Sequence, residues 1–559
     1  MLSWAPFLTI LLVAGPVLAG LIFTGLPALD VMPSLGRTHP SLAGFIVLFH
    51  MPGFVTALRL TLVTGVGAAL LSFALAVAFS AEALTRPSWR WLTRLQTPIL
   101  ASPHSAIALG FAFLIAPSGW IVRLLSPWAT GWTLPPGDLV TLRDPWGLAM
   151  VLGLTLKETP YLVLMIISAS AQVPARSLMA AAGALGDPLA VAWIKVVFPS
   201  VYRQVRLPML AVLAFSLSVV DMPLILAPGN PPPLAVLAVR WLTNYDLSMY
   251  VPAAAAAMLI MLIVLASGAL WWVAEWPVAW LARVWVERGG PNPLLDMILW
   301  SAARLAVVLG AAAFAGGTGQ ALWSVARLWP FPDARPVAFT LATWTGQAQH
   351  SLGTIAVTVA VAGAVVGSAL VLSLACLEHM QRQRGRLGLG MQALVFAPLL
   401  VPQIAFLFGM QVLLVRLHLD GTLIAVAWSH LIFVLPYVLL SLSDPFLALD
   451  PRYAASGAAL GAGRARVFFA LKLPLLIRPI AVAAAVGFAV SFAQYLPTLF
   501  AGAGRIATLT TEAVTLSSGG DRRIIGVLAM LQAALPLAAY GLALGAPFLL
   551  FRRRGGMRP

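Results

Sequence analysis

Residues 458–474 read AALGAGRARVFFALKLP, and residues 183–199 read GALGDPLAVAWIKVVFP. Aligned on Gly461 and Gly186, the stretches keep the glycine, the apolar run and the closing proline in register at a separation of 275 residues. The match spreads outward. TPYLVLMI (159–166) faces LPYVLLSL (435–442) at 276 residues, and DMPLIL (221–226) faces YLPTLF (495–500) at 274. Nearer the N-terminus, TGVGAALLS (64–72) resembles VAGAVVGSA (361–369) at about 297. The slack falls in an outer loop of the first half, residues 117–147, which has little counterpart in the second. Self-similarity at a fixed period marks a repeated structural unit. We therefore expect two tandem units, 1–285 and 297–559. The linker VERGGPNPLLD (286–296) clusters Gly, Pro and charge, as a connector does.

The solvent for these units is lipid. Of 559 residues, 61% are hydrophobic and only 9% charged, with a mean hydropathy of +0.95; soluble domains carry roughly 25% charged residues. A membrane helix needs about 20 mainly apolar residues. Such runs fall near 6–28, 57–80, 96–116, 147–169, 207–227 and 252–275, and again near 297–317, 352–376, 391–415, 421–443, 478–500 and 526–551. The expectation is an all-α polytopic membrane protein of about twelve transmembrane helices, six per unit. The first apolar run has no Lys or Arg before it, so it reads as a retained span rather than a secretory signal.

The net charge of +16 comes mostly from arginines in short loops. The richer set of loops holds Arg86, Arg90 and Arg94, then Arg203 and Arg206, then Arg382, Arg384 and Arg386, then Arg464 and Arg466, and finally Arg552, Arg553, Arg554 and Arg558. The positive-inside rule makes that side cytoplasmic and puts both termini there. Basic residues so distributed do not form a nucleic-acid stripe, so no nucleic-acid partner is expected. Cys376 is a lone cysteine in an apolar run and makes no internal disulfide. The seven histidines form no ligand cluster, so no metal and no cofactor are expected. The three lysines, Lys157, Lys195 and Lys472, never follow a glycine. A phosphate-cradling Gly-Lys loop is therefore missing, and any nucleotide-driven work belongs to another chain.

The two opening stretches lie between the fourth and fifth spans of their units, within loops 172–200 and 447–475. In the first, an Ala-rich helix meets Gly186, a residue suited to a left-handed stop. Asp187 then suits an N-cap and Pro188 the first helical position. A second short helix follows, which Pro199 should end. The second copy repeats this with Gly461, Ala462, the aromatic Phe468 and Pro474. One helical hairpin jutting from a bundle could simply lie on the membrane. Two copies, one per unit, suggest a two-fold partner.

These residues resemble the EAA loop of binding-protein-dependent ABC importer permeases, which runs E-A-A, three residues, G-A, an apolar stretch and L-P. Gly461-Ala462 and Leu473-Pro474 match it, as do Gly186, Val196 and Pro199 in the first copy. The glutamate is absent from both: Ala180 and Ala455 stand there. The resemblance covers nearly the whole chain. It implies tandem MetI-like units like those fused in ferric-iron and thiamine importers, and residues 493–523 look most like a thiamine-type branch. It further implies loops docked on two copies of an ABC ATPase subunit, delivery by a periplasmic substrate-binding protein, and a bacterial inner-membrane location. The chain itself would be a transport subunit, not an enzyme.

Ionisable groups at membrane depth are costly and mark function. Lys157 and Glu158 sit within the fourth span, either as a polar anchor or on a solute path. Asp221, and Gln494 with Tyr495 at the matching place, precede prolines near the outer end of the fifth spans. They are the best path candidates; a cationic solute such as thiamine would suit the carboxylates and the aromatic ring. Glu512 and Asp521-Arg522-Arg523 lie in the last outer loop, open to a binding protein or to water. A gradient-driven transporter also explains two six-span halves, but not the two glycine–proline loops. A membrane enzyme would need a catalytic cluster, and none is apparent.

Overall fold

Backbone groups in lipid must close their hydrogen bonds within the chain, which leaves the helix as the default for long apolar runs. The computed structural model describes residues 4–184, 186–383 and 389–551. Of the arginines used for orientation, Arg384, Arg386, Arg552, Arg553, Arg554 and Arg558 lie outside the described residues. Twelve helices carry the architecture: α1 (Ala5–Ala28), α2 (Phe54–Thr85), α3 (His104–Ile115), α4 (Leu148–Ser170), α5 (Phe198–Ser218), α6 (Tyr250–Arg288), α7 (Pro293–Val325), α8 (Ala342–Arg382), α9 (Gln403–Arg416), α10 (Leu423–Leu447), α11 (Ile477–Phe492) and α12 (Arg522–Phe551).

Among the described residues, nine helices are long and apolar enough to cross a bilayer alone, and two bent pairs bring the number to eleven. The expected span at 207–227 fails that test. It is carried by α5, which starts early, takes in Arg203, Gln204 and Arg206, and stops at Ser218.

The structure corrects four spans that the sequence read as continuous. Residues 96–116 divide into Gln96–Ala101 and α3, and 391–415 into Leu389–Leu400 and α9. In both, a proline (Pro103, Pro402) stands at the N-cap of the second segment. A residue before proline is pushed out of the helical region, so the chain turns there; the second pair is bent by 116°. The fifth spans break after α5 and after α11, and short helices Asp221–Leu226 and Leu496–Gly502 follow. Pro223 and Pro497 fall in the first turns of those helices, where a missing N–H costs least. Irregular backbone at membrane depth survives only inside protein or along a cavity. The breaks therefore point inward.

The halves interlock. α1 packs on α9, and α7 packs on α3, so the first long helix of each half crosses the third of the other. Both crossings are made by glycine. A Cβ on Gly110 would stand 2.9 Å from the Gly316 carbonyl carbon, and one on Gly409 would stand 2.7 Å from the Thr24 nitrogen and meet the Gly20 carbonyl. The Gly409 N–H donates to Thr24 Oγ1 at 3.0 Å. Such close backbone approach is how helices associate where no hydrophobic effect drives them together.

Candidate functional site: two hairpins and a buried polar cluster

The two loops form matched hairpins. In the first, Ala175–Ala184 is followed by Gly186 at φ +83°; in the second, Pro451–Ala459 is followed by Gly461 at φ +77°. A Cβ on either glycine would meet nothing within 4 Å. The left-handed backbone, not crowding, is what favours glycine. Short helices Leu189–Ala192 and Arg464–Val467 follow, and each passes into a π-helical turn, Trp193–Val197 and Phe468–Lys472. The two π turns are 275 residues apart. π turns are rare and cluster at functional places.

Three details differ from the sequence reading. Asp187 is not a cap: Pro188 takes the N-cap position with no side-chain bond. The Asp187 carboxylate instead accepts from Lys195 Nζ at 2.6 Å. Pro199 does not end the helix, because the π turn runs on into α5 with Pro199 in its first turn. In the second hairpin the chain does turn just after Pro474, by 74° between Arg464–Leu475 and α11. Phe468 is half-buried against the core, whereas Phe469 beside it is 66% exposed. Ala180 and Ala455 are exposed on the first helices of their hairpins, and Ala462 is half-buried.

Each hairpin is anchored differently. Lys195 also donates to the Gly290 carbonyl at 3.0 Å and lies 5.0 Å from the Trp285 ring centre, which ties the first hairpin to the linker. Lys472 donates to Glu378 and Gln381 of α8, both at 2.6 Å. Beside it opens a cavity of about 240 Å³ lined in part by Asp450, Tyr453, Arg464 and Lys472.

The polar cluster lies where the broken helices meet. The Lys157 ammonium donates to the carbonyls of Ile99 (3.0 Å), Leu100 (2.8 Å) and Ser102 (2.6 Å). These are orphan acceptors at the end of Gln96–Ala101, so Lys157 closes the break in the third span. Glu158, one residue on, turns the other way and meets His104 Nε2 at 3.1 Å. His104 packs against Phe215 with ring centres 4.6 Å apart and planes tilted by 43°. Asp221 is buried, near Lys157, His104 and Glu158, and backbone N–H groups at its own helix start reach its carboxylate. No described side chain donates a hydrogen bond to it. Tyr495 lies in the neighbourhood of Asp221, and Tyr161 and Tyr437 in that of Glu158. Gln494 is buried next to Tyr495.

Lys157, Glu158, Asp221 and Tyr495 are thus brought together, and the sequence reading missed His104, Tyr161 and Tyr437. The tyrosines stood in register in the quoted strings, but linear text does not say that they converge. His430 was missed too. It is buried on α10, between Ser491 Oγ and Thr498 Oγ1 at 2.9 Å each, and spans the break after α11.

The loop that carries Glu512 and Asp521-Arg522-Arg523 is less free than expected. Arg522 donates to Ser118 Oγ at 2.7 Å and lies over Phe113, while Glu512 accepts from Ser351 at 3.2 Å. Asp521 and Arg523 pair with each other, and that hydrogen bond holds the Asp521 carboxyl below the usual carboxylate range.

A helical membrane protein with broken helices around a buried polar centre, and with paired hairpins projecting from it, has the build of a transport subunit. The chain is 32% identical over 530 residues, 94% of either chain, to the inner membrane ABC transporter permease protein YnjC of Escherichia coli (strain K12). At that identity and coverage, the chain belongs to the inner-membrane ABC transporter permeases. No family model matches it. An ABC permease is a multi-pass membrane subunit that works with ATPase partners and typically with a binding protein.

Proposed function

We propose that the chain is the fused permease of an ABC importer that carries a small cationic solute, of which thiamine is the leading example, from periplasm to cytoplasm. On this reading residues 1–285 and 297–559 are two related units. The loops around Gly186 and Gly461 dock one ATPase subunit each, and both termini are cytoplasmic. The observation that carries the docking role is the pair of matched hairpins, each with a left-handed glycine and a π turn at the same spacing. Such a pair suits two copies of one ATPase.

The cationic substrate rests on a different observation. Glu158 is paired with His104, but no described side chain pairs with Asp221, and Tyr495 and Tyr437 stand near the two carboxylates. A buried carboxylate attracts an organic cation by charge, and tyrosines in its neighbourhood could add a contact with the ring quadrupole. Lys157 is fully engaged by backbone carbonyls, so its role is to hold the path's wall. The binding protein supplies much of the selectivity. Ferric iron, a polyamine or an oxyanion is the alternative cargo, and the oxyanion is disfavoured by Asp221.

The test is uptake of labelled thiamine by cells that express the chain with its neighbouring transport subunits. ATP-dependent uptake, reduced at least tenfold by Asp221→Asn without loss of membrane expression, supports this reading. Uptake of an anion instead, unchanged by Asp221→Asn, would refute the cationic path.

A further inference from the structure

The two hairpins share a frame but not a surface. Loop 447–475 holds four basic residues, Arg452, Arg464, Arg466 and Lys472, against one acidic residue, Asp450. Loop 172–200 holds two, Arg176 and Lys195, against one, Asp187. In the first hairpin Lys195 and Asp187 neutralise each other. In the second, Arg452, Arg464 and Arg466 are exposed, and no described side chain pairs with them. At the 275-residue register, Arg464 and Arg466 stand where the first hairpin has Leu189 and the fully buried Val191. Apolar residues satisfy the same frame, so these arginines answer to something outside it.

The cavity beside Lys472 indicates what that is. Three of its lining side chains are basic, Arg382, Arg464 and Lys472, and two are acidic, Glu378 and Asp450. Both acids are already engaged. Glu378 accepts from Lys472 at 2.6 Å and from Arg382 at 2.7 Å, and Asp450 accepts from the Arg452 N–H at 2.8 Å. Lys472 also donates to Gln381. Left over are the Arg464 guanidinium and the Tyr453 hydroxyl, which no described residue engages. The cavity therefore offers donors beside a positive charge. A carboxylate matches them: it can take two parallel N–H bonds from a guanidinium and still accept from a hydroxyl. The hairpin has none to give, because Asp450 is in use and alanine stands at 455.

We propose that this cavity receives an aspartate or glutamate side chain of the ATPase partner, held by Arg464 and Tyr453, while the first hairpin meets the same partner through Leu189. The proposal rests on the docking reading above and adds the partner's chemistry. Leu460, 87% exposed, lies between the lining residues Ala458 and Ala462, and the exposed Phe469 follows Val467 closely. Apolar side chains around a polar anchor suit a protein surface better than a free anion. Lipid headgroups would meet the exposed arginines without needing a cavity of about 240 Å³.

Binding of the purified ATPase subunit to the full chain in nanodiscs, over a NaCl series, tests this. Wild-type binding should weaken as salt rises, since a charge pair at an open cavity is screened. Arg464→Glu should weaken binding by about tenfold and reduce the recovered ATPase from two copies to one. Arg464→Gln should flatten the salt dependence, and Tyr453→Phe should weaken binding less. Leu189→Gln, the matched change in the first hairpin, should leave the salt dependence as it was. All should keep the wild-type Tm; if Arg464→Glu does not, the salt profile of Arg464→Gln decides. Unchanged binding and salt dependence in the Arg464 variants overturns the proposal and leaves the docking reading standing. So does an Arg464→Glu effect confined to nanodiscs of anionic lipid and absent from neutral ones, which would assign the arginine to headgroups. A wild-type chain that binds no ATPase removes the docking reading, and this proposal with it.

Discussion

Lys472 and Glu378 meet at 2.6 Å in a contact where their side chains are only 11% and 5% exposed, and so fasten the second hairpin to the end of α8. Breaking a buried pair by removing one partner costs about 3–5 kcal/mol. Lys472→Met should lower the Tm of the solubilised chain accordingly, since Glu378 keeps only Arg382. Replacing both residues by Met should recover much of that stability. Neither variant should pass hairpin movement to α8, so the assembled transporter should hydrolyse ATP with little uptake. Measuring ATPase rate and uptake in the same vesicles checks this; normal uptake in the double variant would count against the strut.

Lys157 makes a different claim. Its three carbonyl partners have no other described donor for the end of Gln96–Ala101. Leaving a buried acceptor unsatisfied costs about 1–3 kcal/mol each. Lys157→Met should therefore cost several kcal/mol in stability, seen as a large drop in Tm. Asp221→Asn should leave Tm nearly unchanged, because no side chain pairs with Asp221. A path role for Lys157 alone would give the reverse pattern, with stable protein and lost transport.

The hairpin glycines are held by their backbone and not by crowding. With φ of +83° and +77° and open space around each, Gly186 and Gly461 should tolerate asparagine, which visits the left-handed region. A β-branched valine should cost about 1–2 kcal/mol at each site and distort the hairpin. Retention of ATPase activity on the purified complex should follow the order Gly, Asn, Val. Equal retention by Asn and Val would mean that the left-handed stop is not needed for docking.

The all-helical membrane character was legible from composition alone, because few charges and long apolar runs admit little else. The four broken spans were not. A hydropathy window counts apolar residues and is blind to chain direction, so Pro103 and Pro402 passed as part of continuous runs. Lys157 and Glu158 stood out because charge at membrane depth is rare. What each one touches depends on His104, 54 residues from Glu158, and on carbonyls 55 to 58 residues from Lys157. Asp187 shows the same limit. Local rules made it a cap, but Lys195 eight residues on claims its carboxylate, and a buried ion pair outweighs a cap at a two-residue loop.

The hairpins are the place where an ATPase should engage this permease. The most direct measurement is purification of the tagged chain from its native membrane, followed by subunit analysis and ATP-driven uptake in vesicles. A stoichiometric ATPase, two copies per chain, should co-purify and be lost when Gly186→Val and Gly461→Val are combined in a chain that still folds. A chain that purifies alone, and whose uptake survives ATP depletion but collapses with the proton gradient, would contradict it.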